Sequence, residues 1–160
     1  ELYDLTNDPA EENNLAIPQP AKVDELRLAY DRWFDAMESE RNFALPAIYL
    51  GTAAENPVTL TRQDWRGGNK WDDTELGNRW DVYITETGVY DITIRFGRNR
   101  NAIAVHLDAL GQKLEQHVSG DIGEYTFSNV ALDQGTGAVM AWITAADRDY
   151  TALYVDVKKV

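Results

Sequence analysis

The sequence contains no cysteine, only two histidines and comparatively few basic residues. Without cysteine there can be no disulfide framework, thiolate nucleophile or cysteine-ligated zinc site, and two histidines disfavour a histidine-rich metal centre. The 15 lysines and arginines are outnumbered by 27 aspartates and glutamates, which gives a net charge of −12 at pH 7. A chain this acidic lacks the basic surface that binds phosphate backbones or anionic lipid headgroups. We therefore expect neither nucleic acid nor a membrane as a partner.

The chain also has no long apolar run. No stretch approaches the roughly 20 consecutive apolar residues that span a bilayer, and the first residues, Glu1, Leu2 and Tyr3, do not begin a basic and then apolar export signal. Hydrophobic residues nevertheless make up 44% of the 160 residues, which is enough for one compact core and an appendage. Because the chain starts without methionine, we expect it to be a piece of a longer protein.

The first fifty residues are predicted to form a short strand, a loop and one amphipathic helix. Residues 1–5 have the composition of a strand, but one too short to be stable unless it pairs with a sheet outside this chain. From Pro20 onward, apolar residues recur every three or four positions, which predicts a helix over about residues 21–39. We interpret its apolar stripe as a packing face. The stripe consists of Val23, Leu26, Tyr30, Trp33, Phe34 and Met37.

Residues 51–160 change to a period of two, which is typical of strands with one buried face. Turn-forming residues interrupt the pattern at nearly regular intervals, among them Gly97-Arg98-Asn99 and the segment from Gly120 to Gly123. About eight short strands of this kind predict a mainly β fold, an antiparallel β-sandwich of jelly-roll type, with a closed barrel as the alternative. The predicted strands are centred on residues 58–61, 80–84, 90–96, 103–107, 114–118, 125–132, 138–143 and 153–157.

Two parts of the chain resemble a known enzyme family. Residues 1–16 read Glu-Leu-Tyr-Asp-Leu-Thr-Asn-Asp-Pro-Ala-Glu-Glu-Asn-Asn-Leu-Ala. They resemble the segment that closes the small C-terminal subdomain of the formylglycine-dependent sulfatases, which typically has Glu-Leu-Tyr-Asp-Leu, then Asp-Pro, an acid and Asn-Leu-Ala. Residues 55–66, followed by 80–82 and 88–92, are similar to the β-domain appended to some bacterial arylsulfatase-like proteins.

The resemblance implies a non-catalytic C-terminal region of a periplasmic or secreted bacterial arylsulfatase, a sulfuric ester hydrolase. The family's Cys/Ser-x-Pro-x-Arg nucleophile motif is absent, since there is no cysteine and none of Ser39, Ser119 and Ser128 has a proline two residues on. Formylglycine and calcium are then expected only in the parent's catalytic domain, and no catalytic residue is predicted here. Residues 1–50 would be the terminal strand, loop and helix of the sulfatase subdomain. Residues 51–160 would be an accessory sandwich that packs on the catalytic domain and could border its substrate cleft.

A carbohydrate-binding module is the alternative function, and an independent enzyme with an unrecognised site is a weaker third. Trp65 and Trp71 lie in a loop-rich segment, where exposed indoles could stack on sugar rings, whereas Trp80 and Trp142 alternate with strand partners and are predicted to be core.

The local basic cluster consists of Arg95, Arg98 and Arg100. Guanidinium groups match sulfate and carboxylate oxygens, so these arginines are the predicted substrate contact if the parent enzyme acts on sulfated glycans. The competing interpretation is a solvated hairpin tip.

Two pairs of acidic residues have the chemistry of calcium ligands. Asp72 and Asp73 lie in one predicted loop and Asp147 and Asp149 in another, and calcium prefers carboxylate oxygens. A calcium ion needs six to eight oxygens in one place, and neither pair has the spacing of a calcium-binding loop. The preferred interpretation is therefore that these residues form turns, with no metal in this fragment.

Overall fold

The computed structural model describes residues 1–40, 43–68, 72, 74 and 76–160, with Arg100 described by its backbone alone. The chain separates into two compact units, residues 1–45 and residues 46–160. The boundary lies slightly before the predicted one at residue 50. Ile48–Leu50 pair with the strand Trp80–Ile84, and this pairing assigns them to the second unit.

In the first unit, residues 1–19 form consecutive turns. The Asp4 carboxylate accepts hydrogen bonds from the backbone N–H groups of Thr6 and Asn7, at 3.1 and 3.3 Å, and from the Asn7 amide at 2.7 Å. These are Asx turns, in which a short acidic side chain replaces a backbone acceptor. The prediction of a strand over residues 1–5 is therefore wrong for this structure. No neighbouring strand of this unit pairs with them, and Asp4 holds the following residues in a turn.

The predicted helix is present as α1, Pro20–Glu40. Its proline stands at the first position, where a missing N–H breaks no helical hydrogen bond. None of the helix residues is buried. Its aromatic side chains contact one another instead, with the ring of Tyr30 at 5.7 Å from Trp33 and 6.0 Å from Phe34.

The second unit is built of strands, so the predicted mainly β fold with one preceding helix is confirmed. The sheet is mixed and nearly closes into a barrel-like sandwich. The strands are β1 Ile48–Leu50, β2 Val58–Thr61, β3 Trp80–Ile84, β4 Gly88–Ala109, β5 Gln112–Leu132, β6 Gly135–Ala145, β7 Asp149–Thr151 and β8 Tyr154–Lys159.

The strand order β1-β3-β6-β4-β8-β2 makes β4 the strand that joins the two halves of the sandwich. Its residues 90–95 pair with β8, whereas its residues 102–109 pair with β6. Strand β5 pairs with β4 along both parts. The hairpin of β4 and β5 therefore crosses from one half of the sheet to the other and must change direction between residues 95 and 102. All pairings are antiparallel except that of β1 with β3.

One cluster of apolar side chains from both halves fills the interior. The predicted alternation holds in β3, where Trp80, Val82 and Ile84 are buried between half-exposed neighbours. The largest buried side chains are Trp65, Trp80, Tyr90 and Phe96. Trp65 and Trp80 pack edge to face, with ring centroids 6.0 Å apart, which is an arrangement that aromatic pairs prefer.

The segment Gly97-Arg98-Asn99, predicted as a turn between two strands, is a bulge within β4. Arg95 pairs with Glu124 and Arg100 with Ile122, so the four β4 residues 96–99 stand opposite the single residue Gly123. Gly97 has φ +65°, a conformation that glycine adopts without steric cost. The prediction of a turn is therefore wrong, because the chain continues in the same strand beyond these residues. The predicted strands 90–96 and 103–107 are consequently one strand, and 114–118 and 125–132 are likewise one, β5.

Candidate functional site

The bulge of β4 opens a cleft at the place where the β4 and β5 hairpin bends. We call it the corner cleft, and its volume is about 600 Å³. This lies within the roughly 300–1,000 Å³ typical of ligand sites, whereas two other cavities of the described chain measure about 150 and 260 Å³. The residues that line the cleft are Arg95, Gly97, Arg98, Asn99, Asp121, Ile122, Gly123, Glu124 and Tyr154.

Two glycines keep this cleft open. A Cβ atom on Gly97 would clash with the side chain of Leu153 behind the bulge. A Cβ atom on Gly123 would clash with the side-chain amide of Asn99, which lies over this glycine from the opposite strand. Any larger residue at either position would therefore move the bulge or the Asn99 amide, and with them the wall of the cleft.

Arg95 joins the polar and aromatic groups of the cleft. Its cross-strand neighbours are Glu124 on β5 and Tyr154 on β8, which places the three side chains on one face. The guanidinium donates from Nη2 to Oδ1 of Asp156 at 3.0 Å, and its buried Nε lies 2.9 Å from Oδ2 in the same ion pair without the geometry of a hydrogen bond. Asp156 also accepts a hydrogen bond of 2.6 Å from the Thr59 hydroxyl. This hydrogen-bonded ion pair holds the guanidinium against Asp156.

The same guanidinium holds the aromatic ring of the cleft. Arg95 lies over Tyr154 with its central carbon 4.9 Å from the ring centroid, within the range of a cation–π contact. Tyr154 remains 37% exposed. The cleft therefore presents a rigidly supported aromatic surface beside its polar groups.

The remaining charged side chains of the cleft are exposed and have no ion-pair partner among the described residues. Arg98 projects from the bulge, and it makes no ion pair with any described residue. Asp121 and Glu124 are exposed on β5 and also lack an ion pair within the described chain. Among the described residues, the cleft thus combines the Asn99 amide and the Tyr154 ring with one cation and two carboxylates that make no ion pair.

The structure brings together two of the predicted binding residues, Arg95 and Arg98. The prediction for Trp65 is corrected, because this residue is 0% exposed and cannot present its indole to a sugar. It packs in the core against Trp80, and the Arg62 guanidinium lies 5.5 Å from its ring. Trp71 and the side chain of Arg100 lie outside the described residues.

The weak calcium candidates act as hydrogen-bond acceptors in turns. Asp72 accepts from the backbone N–H and the hydroxyl of Thr74, at 2.8 and 2.6 Å, and these bonds lower the pKa of its carboxyl group. Asp147 accepts a 2.5 Å bond from the Tyr150 hydroxyl, which lowers its pKa as well. Across the described ranges no three acidic or histidine side chains converge as metal ligands, Asp149 included. Asp73 lies outside those ranges.

Trp142, predicted as core, is half-buried on the outer face of β6. Its ring stacks on the ring of His106 in β4, with centroids 4.8 Å apart and planes 7° from parallel. The sequence contained the signal for this position, since Val139, Ala141 and Ile143 alternate with it and take the inward face. The same alternation in β8, where Val155 is buried, turns Tyr154 outward.

Comparisons with known proteins found a likeness in structure alone. No protein-family model matches the chain, and no curated protein matches it. The CBM36-1 domain of a multidomain xylanase from the hindgut metagenome of Trinervitermes trinervoides is similar in structure, with 17% identity and a TM-score of 0.45 over 66% of this chain and 98% of that one. Within the described residues, no helix is both long and apolar enough to cross a membrane.

Proposed function

We propose that residues 46–160 form a non-catalytic saccharide-binding domain and that the corner cleft is its binding site. The observation that carries the proposal is the ring of Tyr154, supported by Arg95, beside carboxylate, amide and guanidinium groups in a cleft of about 600 Å³. A sugar ring needs this combination, because its hydroxyl groups both donate and accept hydrogen bonds while its C–H faces pack on an aromatic plane.

The charged groups are suited to hydroxyl recognition. A carboxylate offers two acceptor oxygens and a guanidinium offers several donors, so neighbouring hydroxyls of one sugar can be bound in pairs. The Asn99 amide supplies both a donor and an acceptor. Because Arg95 is already fixed by Asp156, the ring of Tyr154 loses little conformational freedom when a ligand binds, which favours affinity.

The test is retention of the full 160-residue chain on immobilised polysaccharides in affinity electrophoresis, with a panel of neutral, sulfated and uronic polysaccharides. We expect retention on at least one polysaccharide and its loss in Tyr154→Ala. Tyr49→Ala is the matched control, since Tyr49 is 59% exposed on β1 and does not line the cleft. Arg98→Ala removes an exposed cleft residue with no described ion pair, so its effect on retention does not depend on folding.

Absence of retention on every polysaccharide would contradict the proposal. Loss of retention in Tyr49→Ala but not in Tyr154→Ala would place binding at Tyr49 and contradict the corner cleft as the site. Melting temperatures of both variants, measured alongside, separate loss of the site from loss of the fold.

A second candidate is that the chain is the C-terminal region of a sulfatase and packs on its catalytic domain through α1. The observation that favours it is the apolar stripe of this helix, none of whose residues is buried, with Trp33 57% exposed. Such a stripe gains stability only by burial against another surface. The reading frame upstream of Glu1 tests the assignment. A Cys/Ser-x-Pro-x-Arg motif there would support it, and a frame without that motif would refute it.

A further inference from the structure

We infer that the corner cleft selects uncharged saccharides and disfavours sulfated or uronic ones. This inference rests on the proposed function and names the ligand class of the same site. It follows from how the charged side chains of the cleft are paired.

The first step is that Arg95 is not available to an anion. Its guanidinium forms an ion pair with Asp156, in which Nη2 donates a 3.0 Å hydrogen bond and the buried Nε lies 2.9 Å from the second carboxylate oxygen. The Asp156 carboxylate therefore covers the Nε and Nη2 edge, by which arginine could otherwise bind a sulfate or a carboxylate. Its positive charge is also compensated at short range, and Thr59 holds the carboxylate in place with a 2.6 Å hydrogen bond. A sulfate could bind the Nε and Nη2 edge of the Arg95 guanidinium only by displacing Asp156.

The second step is the balance of the charges that remain. Arg98 is the one uncompensated cation among the described lining side chains, and Asp121 and Glu124 are two uncompensated anions. Their sum, +1 − 2, is −1, in a chain whose net charge is −12. A sulfate bound at Arg98 would lie in a cleft with these two carboxylates, and like charges brought together at partial burial repel.

The third step is that hydroxyl groups meet no such penalty. A hydroxyl donates to Asp121 or Glu124 and accepts from Arg98, so each free group of the cleft finds a partner on an uncharged sugar. An uncharged sugar leaves the net charge of the cleft unchanged when it binds, so its affinity should depend little on salt concentration. Binding of a polyanion would instead weaken as salt rises.

The experiment compares retention of the full chain on a neutral polysaccharide and on a sulfated one, dextran sulfate, at two salt concentrations. We expect the neutral ligand to be retained with little salt dependence, and the sulfated one to bind at least about tenfold more weakly because of like-charge repulsion. The double substitution Asp121→Asn with Glu124→Gln should strengthen retention on dextran sulfate. A matched control, Glu55→Gln with Asp133→Asn, changes the net charge equally at exposed positions outside the corner cleft and should have little effect.

The outcomes distinguish this inference from the proposed function. Tighter, salt-sensitive binding of dextran sulfate through the cleft would overturn the inference and leave saccharide binding standing. An equal response of the two double variants would also overturn it, because the effect would then come from overall charge. Failure to bind any polysaccharide would overturn the proposed function itself.

Discussion

The placement of Trp65 in the core gives a prediction whose size can be worked out by comparison with Trp80. Both indoles are fully buried and in contact with each other. Their polar atoms differ, since Trp80 Nε1 donates a 2.7 Å hydrogen bond to the carbonyl of Thr61, whereas Trp65 Nε1 is buried with no acceptor in the described part of the chain. Replacement by phenylalanine removes similar apolar surface at the two positions. It breaks a hydrogen bond only at Trp80.

We therefore expect Trp80→Phe to destabilise the second unit more than Trp65→Phe, by about 1–3 kcal/mol, the cost of leaving a buried partner unsatisfied. Trp65→Ala leaves a cavity and should cost about 3–5 kcal/mol. For a unit of this size each kcal/mol lowers the melting temperature by roughly 4 °C, so Trp65→Ala should melt about 10–20 °C lower.

Urea denaturation of the full chain, monitored by circular dichroism, measures these differences as shifts of the unfolding midpoint. The slope of the free energy of unfolding against urea concentration should stay constant. Tyr49→Ala serves as the exposed control and should stay within about 0.5 kcal/mol of the unchanged protein. If Trp65→Ala melted like the unchanged protein and lost saccharide retention, the indole would be a surface platform and its placement in the core would be refuted.

Three further predictions concern the bulge, a turn and the cleft. Gly97→Ala should destabilise more than Gly111→Ala in urea titrations, because both glycines have positive φ but only the first lacks room for a Cβ; equal costs would contradict this. Tyr150→Phe should raise the pKa of Asp147 toward its ordinary value of 3.8, as followed by NMR. Because the pKa of Asp147 is lower in the folded state, its hydrogen bond with Tyr150 stabilises the fold at pH values above the unfolded-state pKa. This stabilisation is lost as the pH falls through the folded-state pKa. An unchanged pKa in Tyr150→Phe would show that this hydrogen bond does not cause the shift. Asp156→Asn should strengthen retention on dextran sulfate by freeing a guanidinium, and unchanged retention would contradict that.

The helix and the buried strand positions could be predicted because they depend on local periodicity. In α1 the apolar residues recur at helical spacing, and in β3 they alternate around Asp81 and Tyr83, whatever the rest of the chain does. The position of Trp142 could also have been found in this way. The size of the Trp142 side chain favours the core, but its position in the alternation of β6 places it on the outward face.

The bulge and the cleft could not be predicted from the sequence, because they depend on pairing between distant strands. A glycine followed by polar residues marks a turn and a bulge equally well, and only the continued pairing of β4 with β5 decides between them. The meeting of Arg95 with Tyr154 and Asp156 joins residues about sixty positions apart. Trp65 lies in a loop segment, where composition indicates exposure, yet the packing of Trp80 encloses it.

The resemblance of residues 1–16 to the sulfatase segment remains a prediction. Asp4 forms an Asx turn, and the Asp8 carboxylate accepts from the backbone N–H groups of Glu12 and Asn13. The Asp-Pro and Asn-rich composition favours such turns with or without the family. The upstream reading frame also tests two related predictions. These are a periplasmic or secreted location and a partner catalytic domain that holds formylglycine and calcium.

The most direct test of saccharide binding in the corner cleft is an NMR titration of the full chain with a neutral oligosaccharide to which the parent polysaccharide is retained. Our account predicts that backbone signals of residues 97–99, 121–124 and 154 shift together and saturate at one affinity, whereas those around Trp142 stay fixed. Shifts confined to Trp142 and its neighbours, or no shifts at saturating ligand, would contradict it.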